Sequence, residues 1–585
     1  MYLRTIQRRN KDGSVVRYVQ LAHNVRHPET GSPVAQVLHS FGREDQLDRD
    51  ALGRLVGSLS RYLGLPGPPS PADHDDDGDD GGLSFVSSKS LGGVWALDGL
   101  WHRFGLDGLV RTALAGRRCD PVSVERVLFG LVANRALDPC SKLAAARWVA
   151  DVAHVPGLPA LDEDAAYRAM DLLLEVEGTL AEQVFWATAT LLDLEVDLVF
   201  FDTSSTYFER DTADEPVARD RLGHPVPGGA EDPGGDGVEG AGVPVGFRTY
   251  GHSKDHREDL PQVVIGMAVS RTGIPIRTWC WPGNTADTTV LAQVRAELTD
   301  WKLTRVVWVT DRGFASAANR RVLQRGAGHY IQAEKLRGNA EGEAALARPG
   351  RYKTVAGNLR VKEIKPRHEQ GVLADRFIVC HNPEQADRDA AVRDRMLTLL
   401  GEKIERSDAL TKTKRAELRG KISTMPGLNR YLRVTGGGLL RVDTAAINRE
   451  THLDGKWLLR CSDPSLSAED IAAGYKQLLE VERGWRDMKT HLDLRPVHHR
   501  KEERIRAHVL LCWLALLLIR IAETEIPTLT WRRQREHLET LHVGEFTGNA
   551  GHAYQRTELT AVQRDIFAAL QVPEPPRFLH LASAD

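Results

Sequence analysis

Cysteine is scarce in this chain: six in 585 residues (Cys119, Cys140, Cys280, Cys380, Cys461 and Cys512), scattered, with no CxxC pair. That spacing excludes a disulfide framework and a thiolate zinc site, and it fits a reducing compartment. Long apolar runs are lacking too. The best candidate for a membrane span, VLLCWLALLLI (Val509–Ile519), is eleven residues long with Arg506 and Arg520 on its flanks, against the roughly 20 residues a span needs. The opening MYLRTIQRRNKDG has charge but no apolar segment behind it, so no secretory leader is expected. No repeat of fixed period is present, which excludes solenoids and propellers. The expectation is a soluble, cytoplasmic protein of two to four domains.

A large net charge is also missing, but the balance of −3 conceals two acidic segments. Residues 65–83 hold six Asp and no Lys or Arg, and residues 211–243 hold eight acids against Arg219 and Arg221. Without them the rest of the chain carries +9, and residues 1–43 alone have seven bases against two acids. A nucleic-acid partner is therefore compatible with the composition. Both segments, extended to 65–83 and 211–246, are rich in Pro, Gly and Asp without apolar periodicity. They are expected to be unstructured, the first as a linker and the second as a loop within a domain.

Between these segments the texture changes several times. Residues 1–64 form an α+β module, with strands in SVVRYVQLAHNV and PVAQVLHSFG and a short helix at Asp48–Leu63. Residues 84–192 are helical. The stretch 193–335 alternates: a buried-strand run DLVFFDTSS (197–205), a strand pair QVVIGMAVS and IPIRTWCW around Arg271-Thr272-Gly273, and a helix opened by Thr285 or Asp287. The strand RVVWVTDRG (305–313), a helix (Ala315–Arg325) and the strand HYIQAEK complete it, giving an α/β core with a mixed sheet of five strands. An insertion at 336–460 carries β-like pieces, a charged helical hairpin (Glu384–Thr424) and a last strand at 456–463. Residues 461–540 return to the core with a long helical stretch capped by Ser467 and Asp470, and 541–585 read as a C-terminal tail.

Three acids carry the chemistry. Asp202 and Asp311 each stand at the C-terminal end of an apolar strand, where an open sheet presents ligands; a carboxylate buried there needs a partner or a metal. Taken singly, each Asp reads equally as a helix cap or a loop former. The third acid is Glu482, in Tyr475-x6-Glu482-x6-Lys489, a spacing of seven that returns to one helix face. Tyr475, Leu478, Leu479 and Trp485 also read as a core stripe with Glu482 and Lys489 on its border.

Taken together, these features resemble the DDE transposases of bacterial insertion sequences. Tyr475, Glu482 and Lys489 match three of the four positions of the Tyr-Arg-Glu-Lys signature of one large group; the arginine position holds Leu478, and Lys476, Arg483 or Arg486 are substitutes for it. Further matching blocks are FFDTSSTYFE (200–209), GHSKDHREDLPQVVIGM (251–267), WPGNTADTTV (281–290), VTDRGFAS (309–316) and LDLRPVHHRKEERIRAHVLLCWLALLL (492–518). The resemblance implies an RNase H-like, retroviral-integrase-like core with a β-rich and helical insertion. It implies cleavage at the terminal inverted repeats of the element and joining of 3′ ends to target DNA. End recognition would fall to residues 1–64 and the helices of 84–190, and the DNA-bound form would be a homodimer, nucleoid-associated when bound.

The expected cofactor is a pair of Mg²⁺ ions, with Mn²⁺ as a substitute, since two such ions activate the attacking oxygen and stabilise the leaving one. Three carboxylates without a nearby thiol suit that metal, with Asp202 bridging and Asp311 and Glu482 each completing one ion. Tyr475 and Lys489, by resemblance, and Arg495, Arg486, Arg312 and Asn284 are the candidate DNA contacts. His498, His499 and His508 match no metal motif and read as phosphate-side or core residues. The hairpin-stabilising aromatic that the group supplies from its insertion is not identifiable, because Trp457 reads as core. Two other readings remain open: a catalytically silent, DNA-binding remnant of such an element, and a non-mobile RNase H-like nuclease.

Overall fold

The computed structural model describes every residue except 1, 10–14, 27–32, 44–82, 221–222, 227–243, 304–305, 365–374, 496, 549–550 and 584–585. The expected helix at 48–63 and all of the 65–83 linker except Leu83 lie outside the described residues. The chain divides into two units, Met1–Gly82 and Leu83–Asp585. In the first, β1 (Tyr2–Arg9), β2 (Val15–Arg26) and β3 (Pro33–Arg43) form an antiparallel sheet in the order β1-β2-β3. Val, Ile and Tyr alternating with Arg and Gln give these segments their strand character.

The second unit opens with β4 (Leu83–Ser90) and a set of helices. The helix Pro121–Leu137 begins at Asp120, whose carboxylate accepts from the Val122 and Ser123 N–H groups, with Pro121 in the first turn where its missing N–H is harmless. This helix packs against Glu502–Glu525. The latter is 24 residues long, and among the described residues it is the one helix long and apolar enough to cross a membrane; the whole of its apolar stretch is buried inside the protein. The eleven-residue apolar run is thus the middle of a longer core helix, apolar all round because protein surrounds it. Of its two buried arginines, Arg506 pairs with Glu502 at 2.8 Å and Arg520 is neutralised by Asp487 and Glu523, both at 2.6 Å.

The core sheet follows: β5 (Leu198–Tyr207), β6 (Gln262–Val269), β7 (Pro275–Pro282), β8 (Val307–Thr310) and β9 (His329–Glu334). These are the five expected strands. β5–β6 and β6–β7 pair antiparallel, while β8 lies parallel to β5 and to β9. Gly273, at φ +80°, makes the turn of the β6–β7 hairpin. The insertion does not stand apart from this sheet. Its strands β10 (Lys353–Ala356), β11 (Leu359–Ile364) and β12 (Arg376–His381) continue it, a short hairpin of β13 (Leu432–Val434) and β14 (Leu440–Val442) stays separate, and β15 (Lys456–Cys461) joins β12 to β9. The result is a nine-stranded mixed sheet in the order β10-β11-β12-β15-β9-β8-β5-β6-β7. The charged hairpin appears as the helices Pro383–Ile404 and Lys412–Ser423.

Two stretches depart from the sequence reading. Within 211–246, residues 227–243 lie outside the described residues, but the flanks are structured rather than loose. Arg248 pairs with Asp214, and Arg219 pairs with Glu502 at 3.0 Å while lying over the Phe247 ring. Ion pairs and cation–π contacts hold a polar stretch that apolar periodicity could not reveal. Residues 541–585, read as a tail, form β16 (His542–Gly548), β17 (Gly551–Arg556), a helix Ala561–Ala569 with a Thr560–Gln563 capping box, and β18 (Phe578–Ser583). Their sheet runs β18-β17-β16-β4, so the partner strand lies more than 450 residues upstream, beyond any local pattern.

Candidate active site

The site is built on two adjacent parallel strands. Phe200 and Phe201 are fully buried in β5 and anchor it, and the register pairs Phe201 with Thr310, the last residue of β8. Asp202 and Asp311 therefore follow side by side. Asp311 begins the tight turn Arg312–Phe314, and Phe314 packs edge-on against Phe201 at 5.4 Å between centroids. That aromatic contact fixes where the turn leaves the sheet.

Further groups converge on Asp202. Lys254 Nζ lies 3.8 Å from Asp202 and 3.2 Å from Asp287, and donates to both the carbonyl and the hydroxyl oxygen of Thr203 at 2.7 Å. Thr203 in turn donates its hydroxyl to Asp287 at 2.6 Å. Burial pushes the Asp202 carboxyl up to about 6; Lys254 and a backbone N–H oppose this, and the charges of Asp287 and Asp311 add to it. Asp202 and Asp287 thus share one ammonium. Asp287 was read as a candidate helix cap. The helix Asp287–Asp300 instead has Ala286 at its N-cap with no side-chain cap, and the Asp287 carboxylate is turned to Thr203 and Lys254. Sequence reasoning gave neither Asp287 nor Lys254 a role here, although both stand in the matching blocks GHSKDHRED and WPGNTADTTV.

The third acid arrives on a helix that the sequence made continuous and the structure breaks. Ala468–Lys476, capped by Ser467, and Leu479–Thr490 are separate helices. Leu478, at the bend, is buried in the core, while Leu479 is 62% exposed, so the expected apolar stripe is interrupted. The bend keeps Tyr475 over the site: its hydroxyl donates to Asp311 at 3.2 Å. Burial raises the Tyr475 phenol, and the charges of Asp311 and Glu482 raise it further. Glu482 is exposed and has no ion-pair partner among the described residues. Its helix seats closely on β6 because a Cβ at Gly484 would fall 2.6 Å from the Met267 methyl.

The expected DNA contacts fare differently. Lys489 pairs with Asp255 at 2.8 Å, and Arg495 pairs with the same carboxylate oxygen. Asp255 is 5% exposed and its other oxygen has no hydrogen-bond partner. Both bases thus face inward, holding the residue next to Lys254, rather than standing free in solvent. Burial lowers the Lys489 ammonium, the pairing with Asp255 opposes this, and the nearby Arg495 and Lys254 charges lower it further. Arg312 and Arg486 are exposed without ion-pair partners among the described residues. Asn284 is exposed three residues before Asp287 and lines a cleft of about 200 Å³ with Trp281, Thr285 and Arg219. His498 is exposed, and His499 and His508 lie 5.2 Å apart between ring centroids.

Among the described residues no three His, Cys, Asp or Glu side chains stand close enough to hold an ion. The donor chemistry beside Asp202 is nonetheless that of a hard cation: carboxylate and hydroxyl oxygens, with one ammonium between Asp202 and Asp287.

Comparison with known proteins agrees with this picture. No curated protein matches the chain. A cryo-EM structure of the piggyBac transposase synaptic complex with hairpin DNA is similar at 10% identity and a TM-score of 0.33, covering 76% of this chain and 79% of that one. The family described as "IS1634 family transposase, N-terminal domain" matches residues 3–69, and the family described as "Transposase DDE domain" matches residues 238–518. Asp311 and Glu482 fall inside the second match and Asp202 upstream of it. The chain belongs to the DDE transposases of insertion sequences.

Proposed function

We propose that this transposase cleaves DNA at the terminal inverted repeats of its element and transfers the 3′ ends to a target, with Asp202, Asp311 and Glu482 as its catalytic acids on an RNase H-like core. The observation that carries the reading is the crowding of Asp202, within β5, and Asp311, just past the end of the parallel β8, with Tyr475 bonded to Asp311 from the helix that precedes the one bearing Glu482. The strand order supports the fold: three antiparallel strands, the first flanked on its other side by two parallel ones.

DDE transposases as a family use divalent metal ions. Here Asp202, Asp311 and Glu482 would hold two, Mg²⁺ by the oxygen-only donor set, and the metal would supply activation of the attacking oxygen and stabilisation of the leaving one. The chain's own residues do the rest. Lys254 lies against Asp202 and Asp287 and opposes the rise that burial imposes on Asp202, and Tyr475 orients Asp311. Arg312 and Arg486 contact backbone phosphates, which positions DNA without reading its sequence. Lys489 and Arg495 serve first to fix Asp255 beneath Lys254 and reach phosphate by exchanging that carboxylate. Asn284 borders the DNA path, and a homodimer holds the two ends.

Labelled DNA carrying the element's own ends tests this. Wild type should cut at the repeat boundary in Mg²⁺ and not in EDTA, and Glu482→Gln should bind the same DNA without cutting it. Persistent cutting by that variant would remove Glu482 from the site, and binding without cutting by wild type would favour the silent remnant.

A further inference from the structure

A second charged region lies away from the acids. Lys142 and Arg135 are 4% and 3% exposed. Neither has a carboxylate partner among the described residues; Arg135 donates to the Leu492 carbonyl at 3.4 Å, while its Nε, like Nδ1 of buried His508, has no partner at all. Burial, helped by the Arg135 charge, pulls the Lys142 ammonium down to about 7, so near neutral pH it is only partly charged and the Arg135 guanidinium is the buried cation of the pair. The neighbours are His508, His499, Cys140 and Cys512, with Asp493 the acid near Cys512. His508 stacks towards His499, and His499 lines an open groove of about 540 Å³ with His498, Arg500, Arg210 and Arg248. Arg248 donates to the His499 carbonyl at 3.3 Å, which ties the two walls together. Glu209 and the Asp214 paired to Arg248 and Arg210 are the acids near the rim. Arg500 and His498 have no ion-pair partner among the described residues.

We propose that this groove seats the phosphate backbone of duplex DNA several nucleotides from the cut, with Arg500, His498 and His499 at its surface and the Arg135 guanidinium buried behind them. The inference rests on the proposed function for its ligand and adds a place on the protein where that ligand lies. The groove is connected to the acids through one strand. Val497 donates its N–H to the Tyr207 carbonyl at the end of β5, and Asp202 lies five residues back, about 17 Å along the strand. At roughly 3.4 Å per nucleotide on each strand, that distance is about five phosphates. A buried guanidinium acts at low dielectric, so its field reaches the groove with little screening.

The test is binding of the full-length protein to duplex DNA carrying the element's end, in EDTA so that cleavage plays no part. Arg500→Gln should weaken binding about fivefold near 150 mM salt and reduce the salt slope by roughly 0.9, the signature of one lost phosphate contact. Lys142→Met should weaken binding at pH 6, where its amine is charged, yet raise the thermal unfolding midpoint, because it deletes a buried amine with no carboxylate partner. A structural lysine would do the reverse. Uncharged methylphosphonate linkages placed about four to six nucleotides from the repeat boundary should weaken wild type and leave Arg500→Gln unaffected. Equal binding by wild type and both variants at every salt concentration would overturn the proposal, as would equal sensitivity of wild type and Arg500→Gln to those linkages. Failure of wild type to cut its ends would count against the catalytic reading alone, since the groove is read by binding.

Discussion

Glu125 and Asp202 are acids of the same folded unit, and their surroundings treat them oppositely. Glu125 is 0% exposed, yet it accepts from Trp101 at 2.8 Å and from Arg111 at 2.9 Å, and it also pairs with Arg126, which reaches Asp98 at 2.7 Å. Burial would raise its carboxyl, but the hydrogen bonds and charges of Arg126 and Arg111 overcome this and hold it below the usual range. Asp202 has one lysine at 3.8 Å and two other acids for company, and its carboxyl rises to about 6. A structural acid is surrounded by its own counter-charges; an acid kept for chemistry is left short of them.

The largest effect should come from breaking the satisfied member. Glu125→Gln leaves buried Arg126 with Asp98 alone and half-exposed Arg111 with Asp107 alone, and should cost about 3 kcal/mol of stability, measured by urea unfolding. A loss below 1 kcal/mol would show that the cluster is better solvated than its burial implies. Asp202→Asn should act in the opposite direction, raising stability on the order of 1–3 kcal/mol at pH 7 in EDTA while abolishing cleavage. The folded carboxyl titrates above its unfolded value, so its penalty is absent below about pH 4 and complete above about pH 6. The variant's advantage should therefore grow as pH rises through that window, and an advantage equal at pH 4 and pH 7 would contradict the crowding. The smallest effect sharpens the contrast. In a Lys254→Met background that window should move up by about one pH unit, since Asp202 has lost its nearest cation; an unmoved window would mean that Lys254 does not serve Asp202.

Much of the core sheet was legible because its strands hold short apolar runs bounded by turns; Asp311 does follow the end of β8, but Asp202, expected at a strand end, lies within β5, whose polar half Thr203–Tyr207 continues the strand by pairing with β6. Glu482 was legible only through its spacing from Tyr475 and Lys489, and that spacing assumed an unbroken helix which Leu478 interrupts. Asp287 and Lys254 were not assigned to the site because their meaning depends on side chains from three separate elements meeting at Thr203. Lys489 and Arg495 looked like free cations in sequence; Asp255, the residue that binds them both, lies over 230 positions away from each. The insertion was legible as an interruption, while its continuity with the main sheet depends on β15 returning to β9.

The pairing of β4 with β16 also bears on how the molecule is made. On the ribosome, β4 emerges about 450 residues before its partner, an interval of roughly 20–90 s at ordinary synthesis rates. Throughout that time the strand that opens the second unit has an unpaired edge, and the sheet closes only once β16 has left the exit tunnel. A message cut short before residue 542 yields a chain that retains all three acids but leaves β4 without its partner β16.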